Sequence, residues 1–321
     1  EIIREAGLNI FVNSRVHLET ATQLGYHGEE IVFAASAMDE MTMIEVKQSG
    51  AIPILDSIGQ LNKWFALYPD TGVGIRCNIG ELVVPKRTLA GYFLGKESRL
   101  GLTLDSISKL EGNPNISGLH IYVGTNITDI NYLIDCYNQV TRLVGLFPGL
   151  RYLDFGGGFG IGEKTIKEFD IETYGQRVSR LMKQVSEKTG REIKLIIEPG
   201  RIIGVNSGYF VCKVVDIKDH YNQQMIGVNA SCVQFPRPLF YPDDAFHPVM
   251  ILHKNGYSNG KPGMASSIYG CSTYSRDFLA RDIVLPQASI GDIITLGHAG
   301  SYCAAAHTDF LGFPKAKEFF L

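Results

Sequence analysis

The chain has 321 residues, of which 45% are hydrophobic and 20% charged, as in an ordinary globular protein. Its 30 basic and 33 acidic side chains give a formal net charge of −3, which argues against nucleic acid or an anionic membrane as the main partner. No apolar stretch approaches the roughly 20 residues of a membrane span, and the first residues are not typical of a signal peptide. The six cysteines form no CxxC pair, so we expect reduced thiols in a cytoplasmic protein and no metal site.

From residue 8 to residue 197, short β-branched runs alternate with amphipathic stretches. This alternation predicts parallel strands with right-handed helical crossovers, hence an α/β barrel or a doubly wound sheet. The predicted helices include His17–Leu24, Asp39–Gln48, Ile127–Val144 and Ile171–Lys188. Seven strands are predicted: Leu8–Asn13, Ile31–Ala34, Ala51–Asp56, Val73–Asn78, Gly118–Val123, Arg151–Phe155 and Ile193–Ile197.

The pattern of apolar and polar residues changes after residue 205. Apolar and polar residues then alternate in short runs separated by turn residues, which predicts an antiparallel β domain. We therefore expect an α/β domain over residues 1–205 and a β domain over residues 206–321. The predicted strands of the second domain are Tyr209–Ile217, Gln224–Ala230, Phe246–His253, Met264–Gly270 and Asp292–Leu296.

Two glycine-rich runs are the most informative motifs. The run from Gly156 to Gly160 and the run from Glu198 to Arg201 each follow a predicted strand. Glycine lets the backbone approach phosphate oxygens closely, and a following helix start favours an anion. The first run does not fit the dinucleotide spacing G-x-G-x-x-G in any frame. Together the two runs indicate one phosphorylated cofactor bound by neighbouring strand ends.

These runs, GGGFG and EPGR in the printed sequence, resemble those of the fold-type III pyridoxal-phosphate decarboxylases, which include the diaminopimelate, ornithine and arginine decarboxylases. The resemblance covers nearly the whole chain. It implies a (β/α)8 TIM barrel followed by an antiparallel β-sandwich domain, in a homodimer with shared active sites. The further matching segments are Gly118–Thr125, Arg237–Tyr241 with His247, Tyr269-Gly270 with Asp277, His298–Tyr302 and Phe310–Phe313.

A closed barrel of this type needs eight strands, and the pattern predicts seven. In the resembling family the first barrel strand carries the Schiff-base lysine. We therefore expect that strand and its lysine to lie before Glu1.

The resemblance also implies which residues bind the cofactor, pyridoxal 5′-phosphate. Glu198 would face the pyridine nitrogen, and Tyr122 would stack on the ring where many relatives have histidine. His120 lies on the same face of its strand and would either reach the substrate or be a hydrogen-bonded core residue. The residues implied for the phosphate are Thr125, Gly156, Gly157, Gly158, Gly200, Arg201 and Tyr302.

Substrate binding and protonation are implied by the second half of the chain. Arg237 and Tyr241 would bind a carboxylate of the substrate remote from the bond that breaks. Relatives carry a cysteine that reprotonates the substrate carbon across the dimer interface. An ungapped match places Thr273 at that position, so either Cys271 or Tyr274 would be the acid.

The expected function is that of a lyase that removes the α-carboxylate of an amino acid or an amino-acid conjugate. The substrate would be similar to diaminopimelate or would be an intermediate of siderophore or antibiotic biosynthesis. Two alternatives stay open at this point. One is an amino-acid racemase of the same fold type, and the other is a catalytically silent homologue that regulates a partner decarboxylase.

Overall fold

The computed structural model describes residues 1–88, 90–162, 168–242, 245–254, 256 and 263–320. The chain divides into two compact units. The first comprises Glu1–Gly160 and Glu168–Pro199, and the second comprises Ile161–Lys167 and Gly200–Leu321.

The first unit is built on a parallel sheet with the architecture of a TIM barrel. Its strand order is β1-β2-β3-β4-β6-β7-β8, and a two-residue strand, β5, pairs with β4. All pairs along this path are parallel, as the alternating pattern predicts. Each of the seven predicted strands is confirmed, with ends that agree within two residues except at β6, which ends at His120, three residues before the predicted end. Within the described residues the strands are β1 (Ile10–Val12), β2 (Ile31–Ala34), β3 (Ile52–Leu55), β4 (Val73–Asn78), β5 (Leu102–Thr103), β6 (Ile116–His120), β7 (Tyr152–Asp154) and β8 (Lys194–Ile196).

Helices return the chain between these strands, and their ends follow local side-chain chemistry. The side chain of Asp39 accepts a hydrogen bond from the N–H of Thr42 and thereby caps α3. Gly50 and Gly190 end α3 and α7 in the left-handed conformation. Among the described residues, each helix is too short or too polar to cross a membrane. The helices of this unit are α1 (Ile2–Glu5), α2 (Arg15–Gln23), α3 (Glu40–Ser49), α4 (Ile58–Leu67), α5 (Leu104–Ser108), α6 (Ile130–Thr141) and α7 (Ile171–Thr189).

A tyrosine fills part of the space on one face of the sheet. Tyr152 is 4% exposed and packs with Val32, Ala34 and Ile54. A Cβ atom on Gly118 would lie 1.9 Å from the Tyr152 ring. The small residue on β6 is therefore needed to make room for the large residue on β7.

The second unit contains one six-stranded sheet of order β11-β14-β9-β10-β12-β13. The long strand β9 pairs with β14 through residues 210–213 and with β10 through residues 214–220. The expectation of antiparallel pairing fails at one place, because β10 and β12 run parallel. One strand, β13, was not predicted, since Arg281 and Asp282 interrupt its apolar pattern and Asp282 has a positive φ of 51°. The elements are β9 (Phe210–His220), β10 (Gln223–Val228), β11 (Val249–Leu252), β12 (Met264–Tyr269), β13 (Phe278–Leu285), β14 (Ile293–Leu296), α8 (Arg201–Gly204) and α9 (Arg237–Phe240).

Candidate active site

The sheet register of the first unit brings ionisable side chains together at the carboxyl ends of β6, β7 and β8. His120 is paired with Asp154, and Asp154 is paired with Ile196, two residues before Glu198. The Glu198 N–H donates to the Gly156 carbonyl at 2.8 Å, which holds the chain beyond β8 against the chain beyond β7. Active sites of TIM barrels are found at this end of the strands.

His120, Asp154 and Glu198 form a buried cluster. Their side chains offer three polar atoms that all lie within 4.8 Å of one another. His120 Nε2 lies 3.7 Å from Glu198 Oε2, and these two side chains are 1% and 9% exposed. Within the described residues, Glu198 Oε1, Asp154 Oδ2 and both ring nitrogens of His120 have no hydrogen-bond partner. Buried polar atoms without partners are costly, which marks this cluster as a place that binds a polar group.

Burial governs the protonation of this cluster. It raises the pKa of Glu198 to about 7 and raises that of Asp154 well above its ordinary value. It lowers the pKa of His120 to about 4, so the imidazole is neutral. The positive charge of Arg76 favours ionised Glu198. Burial therefore favours the protonated form of Asp154 and the neutral form of His120, whereas Glu198 ionises near neutral pH.

The glycine run after β7 can hold no larger residue. Gly156 and Gly158 have positive φ angles of 61° and 81°. A Cβ atom on Gly157 would lie 1.9 Å from the Glu198 carbonyl oxygen, and one on Gly158 would lie 1.8 Å from that of Gly124. Bare backbone of this kind lets a phosphate approach closely.

Tyr122 lies just beyond β6, with Phe93 and Arg76 near its ring and Thr125 near its hydroxyl. It packs edge-on against Phe93, with ring centroids 4.9 Å apart, and the guanidinium of Arg76 lies 5.9 Å from its centroid. Its hydroxyl lies 3.2 Å from Thr125 Oγ1. The structure thus brings the predicted residues Tyr122 and Thr125 into contact.

In the second unit, Gly200 and Tyr302 are close neighbours. A Cβ atom on Gly200 would lie 2.5 Å from the Tyr302 hydroxyl oxygen. Tyr302 is 63% exposed, and Arg201, the first residue of α8, is 9% exposed. Gly200 therefore provides backbone without a side chain, Tyr302 provides a phenol hydroxyl and Arg201 provides a guanidinium.

Arg237 begins α9 and is 4% exposed, although it carries a charge. Its Nη1 lies 3.3 Å from His247 Nε2. Tyr241 is half-buried at the end of the same helix and donates its N–H to the Arg237 carbonyl at 3.0 Å. A guanidinium is chemically suited to bind a carboxylate in a two-point contact.

The segment from Gly270 to Asp277 is a loop organised by a buried carboxylate. Asp277 accepts hydrogen bonds from the N–H of Cys232 at 2.6 Å and from the N–H of Ser272 at 3.0 Å. Cys271 is exposed, and partial burial raises the pKa of its thiol.

The other candidates of this loop differ in packing. Tyr274 is half-buried and packs edge-on against Phe310, with ring centroids 5.5 Å apart. Thr273 is exposed. Both candidate acids, Cys271 and Tyr274, are thus presented by one well-ordered loop.

Two residues of the barrel cluster were missed by the sequence analysis. Asp154 and Arg76 were treated only as parts of predicted strands. The sequence did contain a signal for both residues, because each is an ionisable side chain inside an otherwise apolar run. Burying such a side chain costs free energy, which makes it a candidate for a functional role.

Comparison with known proteins identifies the family. Residues 1–205 match the family model described as the pyridoxal-dependent decarboxylase, pyridoxal binding domain. The chain belongs to this family of pyridoxal-dependent decarboxylases. Its cofactor is pyridoxal 5′-phosphate, and its activity is amino-acid decarboxylation. The structure fits this cofactor, since Glu198 Oε1 has no hydrogen-bond partner in the part of the chain that the structure describes and the glycine run would not admit a Cβ atom.

Several proteins are similar over most of their length. The diaminopimelate decarboxylase of Escherichia coli (strain K12) is 24% identical over 99% of this chain and 79% of its own. That of Aquifex aeolicus (strain VF5) is 27% identical over 99% and 76%. The solved Helicobacter pylori diaminopimelate decarboxylase with L-lysine has a TM-score of 0.84 at 19% identity, covering 98% of this chain and 79% of that one. The Vibrio vulnificus lysine/ornithine decarboxylase with cadaverine has a TM-score of 0.80 at 20% identity, covering 98% and 82%. Both solved structures share the fold.

Proposed function

We propose that this protein removes the α-carboxylate of an amino acid that carries a second carboxylate, either a substrate similar to diaminopimelate or a larger conjugate. The observation that carries the proposal is the buried Glu198, which has an oxygen without a hydrogen-bond partner among the described residues and lies in a cluster with Asp154 and His120. The similarity to diaminopimelate decarboxylases supports the substrate class. The Tyr122 segment and the threonine at position 273 favour a siderophore or antibiotic intermediate.

In the barrel unit, each proposed role follows from the side chain's chemistry. Bound pyridoxal phosphate supplies an electron sink for the charge left when CO2 departs. Glu198 holds a proton on the ring nitrogen by charge pairing. Tyr122 contacts the ring face. The N–H groups of the Gly156–Gly158 run and the Thr125 hydroxyl bind the phosphate. His120, neutral and buried, contacts the substrate or Glu198.

In the second unit, Gly200, Arg201 and Tyr302 bind phosphate through an approachable backbone, a guanidinium and a phenol. Arg237 binds the remote carboxylate of the substrate in a two-point contact, and the Tyr241 hydroxyl adds a third. The domain boundary proposed at residue 205 is supported by the family model, which ends at that residue.

The proton returned to the substrate carbon comes from Cys271 or Tyr274. A threonine hydroxyl is too weak an acid for this step, whereas an ordinary thiol (pKa about 8.5) or phenol (about 10) is strong enough. In the homodimer that we propose, the loop delivers this proton to the partner subunit's site.

The substrate class is tested by a panel assay on the cofactor-loaded, full-length protein. We expect CO2 release from meso-diaminopimelate to exceed that from lysine or ornithine. Arg237→Ala should weaken binding of the dicarboxylic substrate by about 2–5 kcal/mol and affect lysine little. Equal losses for both substrates would contradict the role of Arg237. Inversion of the substrate without CO2 release would indicate a racemase.

The proton donor is tested by comparing Cys271→Ala with Tyr274→Phe, with Thr273→Val as the matched control from the same loop. Loss of the donor should lower kcat by about 100-fold or more, the usual contribution of a general acid. Thr273→Val should stay within a few-fold of the parent. If both test variants retain full kcat and product yield, the acid lies outside this loop.

A further inference from the structure

His247 is a buried histidine to which the proposed function gives no role. It is 6% exposed and lies two residues before β11. Its Nε2 contacts Arg237 Nη1 at 3.3 Å, and its Nδ1 contacts the Gly297 carbonyl oxygen at 2.8 Å. One ring thus links a candidate substrate-binding guanidinium to the backbone that follows β14.

These two contacts define the tautomer of His247. A carbonyl oxygen only accepts hydrogen bonds, so Nδ1 must carry a hydrogen. A guanidinium only donates, so Nε2 must offer its lone pair to Arg237. An imidazolium would direct an N–H at the guanidinium. The geometry therefore requires the neutral Nδ1–H form.

The electrostatic surroundings favour the same form. Burial is the main cause that lowers the pKa of His247 to about 3, and the nearby charges of Arg237, Arg201 and His298 lower it further. The hydrogen bond to Gly297 opposes this shift. His247 is therefore uncharged at neutral pH.

The ring is also held rigidly. Phe235, 1% exposed, packs edge-on against His247 with centroids 4.6 Å apart, and it stacks on Phe210 at 4.8 Å. The Gly297 carbonyl is held in turn, because the Gly297 N–H donates to Pro248 at 2.8 Å. A fixed acceptor restricts the guanidinium that donates to it.

We infer that His247 is a positioning residue for substrate binding, whose neutral imidazole orients the guanidinium of Arg237 toward the remote carboxylate of the substrate. This inference rests on the proposed function of Arg237. An uncharged acceptor suits the task because it does not itself offset the positive charge of Arg237. A carboxylate in the same place would neutralise that charge and compete with the substrate.

Two amide variants separate the two contacts of His247. His247→Gln places an amide oxygen where Nε2 accepts from Arg237 and gives up the bond to Gly297. His247→Asn is shorter, keeps a donor for Gly297 and cannot reach Arg237. With the cofactor-loaded, full-length protein and meso-diaminopimelate, His247→Asn should raise KM about 10- to 100-fold and leave kcat nearly unchanged. This combination is expected when a contact that stabilises the bound substrate and the transition state equally is lost. His247→Gln should stay within about threefold. Where turnover is absent, the dissociation constant of meso-diaminopimelate replaces KM.

Three results would overturn the inference. The first is an equal effect of both amide variants, or a larger effect of His247→Gln. The second is an effect of His247→Asn that persists in full in an Arg237→Ala background, since a positioning residue acts through Arg237. The third is an imidazolium at pH 7 in the ¹⁵N spectrum of the histidine rings, which does not depend on activity. An unchanged KM in Arg237→Ala alone would instead contradict the proposed function of Arg237.

Discussion

Replacing the buried acid of the barrel cluster should stabilise the cofactor-free protein in a pH-dependent manner. Burial raises the pKa of Glu198 from its ordinary 4.5 to about 7. An acid whose pKa is raised by folding contributes stability that is fully present below its unfolded pKa and is lost as the pH rises through the folded value. Wild-type protein should therefore lose stability between about pH 4.5 and pH 7 because Glu198 must ionise in a buried place.

The size of the effect follows from the shift. One pKa unit corresponds to about 1.4 kcal/mol, so the buried charge costs about 3 kcal/mol at pH 8 and less than 1 kcal/mol at pH 5. Glu198→Gln is uncharged at both pH values and should recover this cost. At about 2–4 °C per kcal/mol for large domains, its Tm should rise by roughly 6 °C or more at pH 8 and little at pH 5.

Urea unfolding of the cofactor-free protein at pH 5 and pH 8 measures this difference. The matched control is Glu187→Gln on α7, because the Glu187 side chain is 65% exposed and pairs only loosely with Lys183 at 3.9 Å. The control should change stability by less than about 0.5 kcal/mol at either pH. The reasoning is refuted if Glu198→Gln changes stability equally at pH 5 and pH 8. With cofactor bound, the same variant should slow decarboxylation by orders of magnitude.

Three further outcomes are expected. Gly118→Ala should lower the free energy of unfolding by about 1–3 kcal/mol or more, because its methyl group would overlap the Tyr152 ring. Gly175→Ala, exposed in α7 with no atom within 4 Å of the added carbon, should instead raise it by up to about 1 kcal/mol. Urea denaturation measures both, and equal losses would contradict the packing argument. Brief alkylation with iodoacetamide should modify Cys271 first, because the other five cysteines are buried. Mass spectrometry that shows faster labelling of any other cysteine would contradict this expectation. Asp277→Ala should destabilise the protein by about 3 kcal/mol, since it strands the buried N–H of Cys232, and it should accelerate labelling of Cys271.

The barrel strands were predictable because each is a short apolar run between helical patterns. Burial on both faces of a parallel strand imposes such a run directly on the sequence. The second unit was less predictable. Nothing local distinguishes a parallel partner from an antiparallel one, so the pairing of β10 with β12 depends on the path of the chain between them. Strand β13 was missed because Arg281 and Asp282 break its apolar pattern.

For the candidate site, the glycines at 156–158 and the acid at 198 stand beside each other in short motifs that local backbone chemistry makes recognisable. Arg76 and Asp154 belong to separate strands, and their closeness to Glu198 arises only when the strands align. The same holds for His247, whose ring contacts both Arg237 and the backbone of Gly297, 50 residues further along the chain.

The sequence by itself determined the seven main barrel strands, the positions where only glycine fits the backbone, and the residue types able to bind a phosphate and a carboxylate. These properties depend on each residue and its near neighbours along the chain. Only the tertiary structure decided which acids have a raised pKa, which histidines stay neutral and that His247 contacts the guanidinium of Arg237. Protonation and hydrogen bonding depend on burial and on distances between residues far apart in sequence, and folding alone sets those quantities.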